Sequence, residues 1–291
     1  MEITNKHNLP VEIVNFMGRN KYSAGGADIS VSRLIGAPRR HILRRQNWED
    51  LKVDIAAQIP SLLGTALHRM FEEGSEAEVN HISEERVFVK VKGWVVSGQV
   101  DTQIINDNTI TIRDYKSTSA WAVMHEKIEW EQQTNLYAYL VEKAKEKVVD
   151  KLEIVAIIRD WNRRDAERNP EYPQCMIVTL NPTLWSMQER ERYLLERLDL
   201  HATAETNSVI GDDIGKCTPD EQWRKKEKYA VMKAGGVRAS KVFDTLEEAN
   251  AFAADKKDAS VVTRPAEATR CLHFCEAAPF CSQWKEENEI F

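Results

Sequence analysis

The stretch "TITIRDYKST", Thr109 to Thr118, decides how this chain is read. It opens as a half-buried strand, with Ile110 and Ile112 alternating against Thr109, Thr111 and Arg113. Period-two geometry then carries Asp114 and Lys116 along the isoleucine face. A carboxylate and an amine on a face used for the core call for a chemical reason.

Upstream, "INDNTI" predicts a two-residue turn at Asp107-Asn108, because both residues tolerate positive φ. That register sets Asp101 directly opposite Asp114 on one face, with β-carbons roughly 4.5–5.5 Å apart. Two facing carboxylates repel unless a cation lies between them. A turn shifted by one residue would put them on opposite faces instead.

The segment ahead of the hairpin, "SLLGTALHRMFEEG", repeats Leu62, Leu63, Ala66, Leu67, Met70 and Phe71 at helical spacing, with Gly74 as its expected stop. Gly64, His68 and Glu72 share a stripe at the edge of its apolar face. His68 could supply a nitrogen ligand and Glu72 a further oxygen, although a lone histidine there is more often a satisfied boundary residue. Lys116 lies beside whatever the aspartates bind, and its charge suits polarising a phosphate or holding an attacking water. Carboxylate oxygens with few other ligands suit Mg²⁺ or Mn²⁺ rather than zinc. Downstream, "EWEQQTNLYAYL" places Gln133 and Tyr137 four residues apart, so both can face one neighbour. Core packing would explain Tyr137 equally well.

Around these segments the pattern predicts an α/β fold. Residues 1–30 read as loop and weak helix, and Pro38 opens a basic helical stretch. Strands are expected at 84–91, 94–105 and 109–116, a long amphipathic helix at 122–147, strands near 152–160 and 174–180, and a helix near 183–203. This order gives a mixed sheet flanked by helices. The character changes after residue 205, where two short strands, a helix from Thr245 and a further strand form a small α+β lobe. The expected organisation is a core over 1–205, a lobe over 206–268 and a tail over 269–291 packing on the core.

The net charge of −6 excludes a global basic footprint for nucleic acid, leaving local clusters. Arg39, Arg40, Arg44 and Arg45 form the cluster expected to contact DNA; Arg163, Arg164 and Arg168 form another, and Arg224, Lys225, Lys226 and Lys228 a third. A solvated face is the commoner reading of any one of them. No apolar run has the length of a membrane span, and "MEITNKHNLP" lacks a signal-peptide layout, so no membrane and a cytoplasmic location are expected. Five cysteines, an odd count without a secretion signal, argue against a disulfide framework. Three of them fall in "CLHFCEAAPFC" (271–281), which points to metal.

"GTALH" (64–68), "GQVD" (98–101), "DYKS" (114–117) and "QTNLY" (133–137), in this order, resemble the motifs of the PD-(D/E)XK nuclease superfamily. Within it the chain looks most like the RecB-like and Cas4-like branch, which includes phage-encoded exonucleases. The resemblance implies a restriction-endonuclease-like core in which His68, Asp101 and Asp114 bind Mg²⁺ or Mn²⁺ and the backbone carbonyl of Tyr115 completes the metal shell. It implies that Lys116 assists attack of water on a phosphodiester, while Gln133 and Tyr137 assist the site or hold DNA. Cys271, Cys275 and Cys281 are similar to the C-terminal cysteine triplet of iron–sulfur nucleases. A [4Fe–4S] cluster needs a fourth thiolate. The family takes it from a Cys-Pro pair ahead of the histidine helix, where this chain has Ala37-Pro38. Cys217, in "GKCTPDEQW", is the expected substitute, and four thiolates could equally hold zinc. Cys175 is expected to be a small buried hydrophobe in a strand.

The reading that follows is a divalent-metal-dependent DNase, an exonuclease on single-stranded or end-exposed DNA. Its possible partners are recombination or replication proteins, in the host cytoplasm if the protein is phage-encoded. A non-catalytic DNA-binding recombination or repair accessory protein is the alternative, and a hydrolase of nucleotides or other small phosphates a third.

Overall fold

The computed structural model describes residues 1–19, 24–125, 127–256 and 258–288. Contacts divide the chain into two units, one formed by Met1–Pro38 with Glu49–Ile214, the other by Arg39–Trp48 with the residues from Gly215 onward.

The chain begins with strand β1 (Glu2–Thr4), helix α1 (Val11–Arg19), strand β2 (Ile29–Ser30) and the single turn α2 (Val31–Leu34). Helix α3 (Pro38–Gln46) starts on a proline, whose fixed φ and missing N–H suit a first turn. Strand β3 (Lys52–Asp54), helix α4 (Ile59–Ser75) and the meander β4 (His81–Val91), β5 (Trp94–Asn106) and β6 (Thr109–Thr118) follow. Then come α5 (Ala120–Met124), α6 (Ile128–Lys145), β7 (Val148–Ile158), α7 (Arg163–Arg168), β8 (Ile177–Leu180) and α8 (Met187–Ile210). A Ser186/Glu189 capping box starts α8, and Gly211 ends it at φ 78, a left-handed position that glycine adopts without strain.

The main sheet runs β2-β5-β6-β7-β8, with β4 on the other edge of β5. It is mixed: β5–β6 and β7–β8 are antiparallel, β6–β7 and β2–β5 parallel. Ile110 and Ile112 share one buried cluster with Val96, Val100, Leu136, Leu140, Leu194 and Leu198, which joins the meander to α6 and α8. Each such aliphatic side chain contributes roughly 1.5–3 kcal/mol by leaving water.

One edge of β5 is shared by two strands. Val96 and Ser97 pair with Ile29 and Ser30 of β2, whereas Thr102 to Asn106 pair with β6. Between them, Gly98 to Asp101 have no ladder partner on that edge among the described residues. The fork so made lies at "GQVD".

Three expectations are corrected. The helix over 122–147 is two helices, α5 and α6, because His125 leaves helical backbone at φ −126 and ψ 81. Gly74 lies inside α4, which continues to Ser75. Cys175 is exposed, since β8 begins only at Ile177.

In the second unit, β9 (Arg224–Lys225), β10 (Lys228–Lys233), β11 (Ala239–Phe243), α9 (Leu246–Ala254), β12 (Ala259–Arg264) and β13 (Glu267–Ala268) precede α10 (Thr269–His273) and α11 (Ser282–Asn288). The order β11-β10-β12 makes a three-stranded antiparallel sheet, and Thr245 caps α9 by accepting from the Glu248 N–H. Among the described residues no helix is long and apolar enough to cross a membrane.

Candidate functional site

Two tight turns align three carboxylates. The β5–β6 ladder runs from Asn106 opposite Thr109 to Thr102 opposite Arg113, one row short of Asp101 and Asp114. In the β4–β5 ladder, Ser83 pairs with Thr102 and Glu85 with Val100, so the row between them sets Glu84 opposite Asp101. Glu84, Asp101 and Asp114 therefore occupy one row across β4, β5 and β6. Backbone pairing lapses along it: Glu84 has φ 51, and the Asp101 carboxylate accepts the Tyr115 N–H at 2.7 Å.

Helix α4 brings His68 onto this row. Its Nδ1 lies 3.2 Å from Glu84 Oε1 and 3.4 Å from Asp101 Oδ1. One ligand atom from each of His68, Glu84 and Asp101 falls within 4.8 Å of the others. Gln99 Nε2 donates to the second Glu84 oxygen at 2.6 Å, and Arg86 donates to Gln99, so Glu84 is oriented from behind. On β6 the alternation holds: the Tyr115 ring stacks on Phe71 of α4, 4.2 Å between centroids, while Lys116 turns to α6. Lys116 Nζ lies 2.7 Å from Asp114 Oδ2 and donates to Gln133 Oε1 at 2.7 Å. Gln133 Nε2 in turn donates to the Tyr137 hydroxyl at 2.9 Å. Tyr137 can lie this close because residue 98 is glycine, where an added Cβ would sit 2.8 Å from Tyr137 Cδ1 and 3.0 Å from Leu140 Cδ1.

Burial, and after it repulsion from Asp114, pushes the Asp101 carboxyl up to about 7, against the pull of His68, Lys116 and the Tyr115 N–H. The hydrogen bond to Glu84 leads in raising His68 to about 8, helped by the charges of Asp101 and Asp114 and opposed by burial. Burial alone would raise Glu84, but the hydrogen bonds from His68 and Gln99 outweigh it and hold this carboxyl low. Burial and the two aspartates keep the Tyr137 phenol well above its ordinary range. The buried Asp114 Oδ2 has an ionic neighbour in Lys116 but no aligned hydrogen bond. Carboxylates that repel, with one imidazole nitrogen beside them, fit a divalent cation of the Mg²⁺ or Mn²⁺ type.

Residues 39–282 match the PD-(D/E)XK nuclease superfamily. The chain belongs to that superfamily. Two crystal structures are similar to this nuclease: that of SSO0001, at 17% identity, covering 73% of this chain and 86% of its own with a TM-score of 0.44, and that of a candidate exonuclease from Eubacterium rectale, at 11% identity, covering 69% and 74% with a TM-score of 0.32. No curated protein matches the chain. Nucleases of this superfamily use divalent metals, and the His68–Glu84–Asp101 group offers mixed nitrogen and oxygen donors.

The nuclease thus gathers His68, Asp101, Asp114, Lys116, Gln133 and Tyr137 along the fork. Glu72 is exposed and outside the group; its place as a nearby oxygen is taken by Glu84. The sequence holds a signal for Glu84. Lys92-Gly93 is a two-residue turn with φ 47 and 85, and the register it imposes on β4 and β5 reaches Glu84 opposite Asp101.

In the second unit of the nuclease, Cys217, Cys271, Cys275 and Cys281 line one cavity together with Arg39 and Arg40. All four are free thiols. Burial first, then neighbouring groups including the other thiols, pushes Cys217 up to about 12 and Cys271 to about 11; burial also raises Cys275. Gln283 brackets Cys217, accepting its N–H at 2.8 Å and donating to its carbonyl at 3.0 Å. Arg39, 6% exposed, donates from Nε to Cys281 Sγ at 3.3 Å and from its other nitrogens to Gly215 O and Ser282 Oγ. Arg40 and Arg44 meet Glu276 at 2.7 and 3.3 Å. Arg39 therefore faces the thiols rather than solvent, while Arg44 and Arg45 are exposed.

Proposed function

We propose that this nuclease is a divalent-metal-dependent deoxyribonuclease of the RecB-like and Cas4-like branch, an exonuclease on single-stranded or end-exposed DNA. The observation that carries the reading is the convergence of His68, Glu84 and Asp101 beside the Asp114–Lys116–Gln133 chain. His68, Glu84, Asp101 and Asp114, with the Tyr115 carbonyl, would hold the ion. When bound, Mg²⁺ or Mn²⁺ supplies Lewis-acid stabilisation of negative charge on the phosphate. Lys116 presents an ammonium to the charge that develops as water adds across a P–O ester bond. Gln133, held by Tyr137, fixes the direction of that ammonium, and Gln99 fixes Glu84.

We assign the four cysteines to a [4Fe–4S] cluster. The assignment is supported by the four thiols lining one cavity, and tetrahedral zinc is the alternative occupant. Of the basic cluster in α3, Arg44 and Arg45 remain the candidates for DNA contact.

The deciding experiment is a time course on end-labelled single- and double-stranded DNA with Mg²⁺ or Mn²⁺. Progressive shortening from an end that is lost in Asp114→Ala and Lys116→Ala is expected. Variants that cut as fast as the parent would overturn the assignment.

A further inference from the structure

Beyond Thr118 the chain enters α5, and its side chains separate by character. Ala120, Ala122 and Val123 are buried, whereas Trp121, Met124 and Ile128 are 62%, 41% and 49% exposed. His125, also exposed, stacks on the Trp121 ring with centroids 4.5 Å apart and planes 14° from parallel. Its Nδ1 lies 3.0 Å from the Trp121 carbonyl, which holds the second ring against the first. Trp121, Met124, His125 and Ile128 follow the spacing that ordinarily turns toward a core. Here that stripe is turned to solvent, because the buried alanines and Val123 already anchor the segment.

A separate feature stands next to it. Ala120 and Val123 share a buried cluster with Ala156 and Ile158 of β7, and Trp161 and Tyr172, which flank α7, pack against the same cluster. The Ala120 N–H also donates to Asp160 Oδ1 at 2.7 Å. Helices α5 and α7 thus lie together at the C-terminal ends of the parallel strands β6 and β7, the end at which open α/β sheets bind ligands. Exposed arginines gather there: Arg159, Arg163, Arg164 and Arg168. Four exposed acids lie among them: Asp160 accepts the Ala120 N–H, Glu167 pairs with Arg163, and Asp165 and Glu171 complete the set.

The position relative to the candidate site follows from the chain. Trp121 is five residues beyond Lys116, so their α-carbons lie at most about 18 Å apart. An aromatic face beside guanidinium groups is the combination that holds unpaired nucleic acid, bases stacking on rings while cations follow the phosphates. Duplex DNA offers no free base faces, so an exposed ring pair favours a single strand.

We propose that the Trp121–His125 stack, with Arg159, Arg163, Arg164 and Arg168, is a binding site for unpaired DNA that leads a strand to or from the fork. The assignment rests on the deoxyribonuclease reading and names its substrate as single-stranded.

The test is fluorescence anisotropy of the full chain in EDTA, with a labelled oligothymidine and a blunt duplex of equal length. Trp121→Ala should bind the single strand roughly tenfold more weakly, at the modest end of base-stacking losses, and the paired change Arg163→Ala and Arg164→Ala should weaken it as well. Trp121→Phe should restore most of the affinity, and unchanged thermal melting shows that each variant is folded. Strand affinity equal to the parent in Trp121→Ala, equal loss on strand and duplex, or no strand binding by the parent would each overturn the proposal. Cleavage of end-labelled DNA by the parent is read separately with Mn²⁺ and bears only on the proposed activity.

Discussion

The Asp101 carboxylate accepts from the Tyr115 N–H, at 2.7 Å, the hydrogen bond that a neighbouring strand's carbonyl would otherwise take. One side chain both closes the sheet at the fork and faces Asp114. Asp101→Asn keeps an oxygen in that place while removing the charge, and cleavage should be lost with the fold intact. The folded-state pKa of Asp101, about 7, lies above its ordinary 3.8, so its stabilising contribution is complete below about pH 4 and disappears as pH rises through 7. Without metal, the parent should therefore melt lower at about pH 8 than at pH 5, and Asp101→Asn should reduce that difference by a few degrees. Identical pH slopes in the two proteins would refute this account.

Metal affinity should rise with pH. His68, at about 8, and Asp101, at about 7, must give up protons before their lone pairs are available to a cation. The thermal shift produced by saturating Mn²⁺ should be small near pH 6, larger above pH 8 and reversed by EDTA. A shift independent of pH would argue that the ion binds elsewhere.

Lys116 is held by Gln133 at 2.7 Å, and the two should separate kinetically. Lys116→Ala should lower kcat roughly 10²–10³-fold, the loss typical of a group that stabilises transition-state charge. Gln133→Ala leaves the ammonium present but badly aimed, and about a tenfold fall in kcat with little change in KM is expected. A rise in KM alone would assign Gln133 to DNA contact.

Gly98→Ala should destabilise the fold by about 1–3 kcal/mol in urea denaturation, because the new methyl meets Tyr137 at 2.8 Å and Leu140 at 3.0 Å. In a Tyr137→Ala background the same methyl should cost markedly less. Additive effects in the double variant would show that the contact is not the cause.

Purified without oxygen, the protein should be brown, with broad visible absorption that Cys217→Ser and Cys271→Ser both abolish. Cys175→Ser should leave the spectrum unchanged, since that thiol is exposed and outside the cavity. A colourless protein carrying one zinc per chain would replace the cluster with zinc.

The β5–β6 hairpin was legible because a two-residue turn at Asp107-Asn108 fixes every pair that follows, and the observed ladder has that register. The Lys92-Gly93 turn carries the same kind of information for Glu84, but Glu84 lies in a charged run with Glu85 and Arg86 that gives it no prominence of its own. The helix boundary near residue 125 is hidden in the sequence for a different reason. Trp121, Met124, His125 and Ile128 continue a helical period across the break, yet that stripe faces solvent, so the period does not report a continuous buried face. The grouping of Arg39–Trp48 with the residues from Gly215 onward has no local signature at all, since the contacts that create it join distant parts of the chain.

That grouping has a consequence for biosynthesis. Arg39 and Cys281 are 242 residues apart and meet in the second unit. At translation rates of about 5–20 residues per second, Cys281 emerges roughly 10–50 s after Arg39. All of β4 to α8 is made in that interval, so the meander can be assembled while α3 still waits for Glu276 and Cys281. The second unit cannot close before Cys281 has been made.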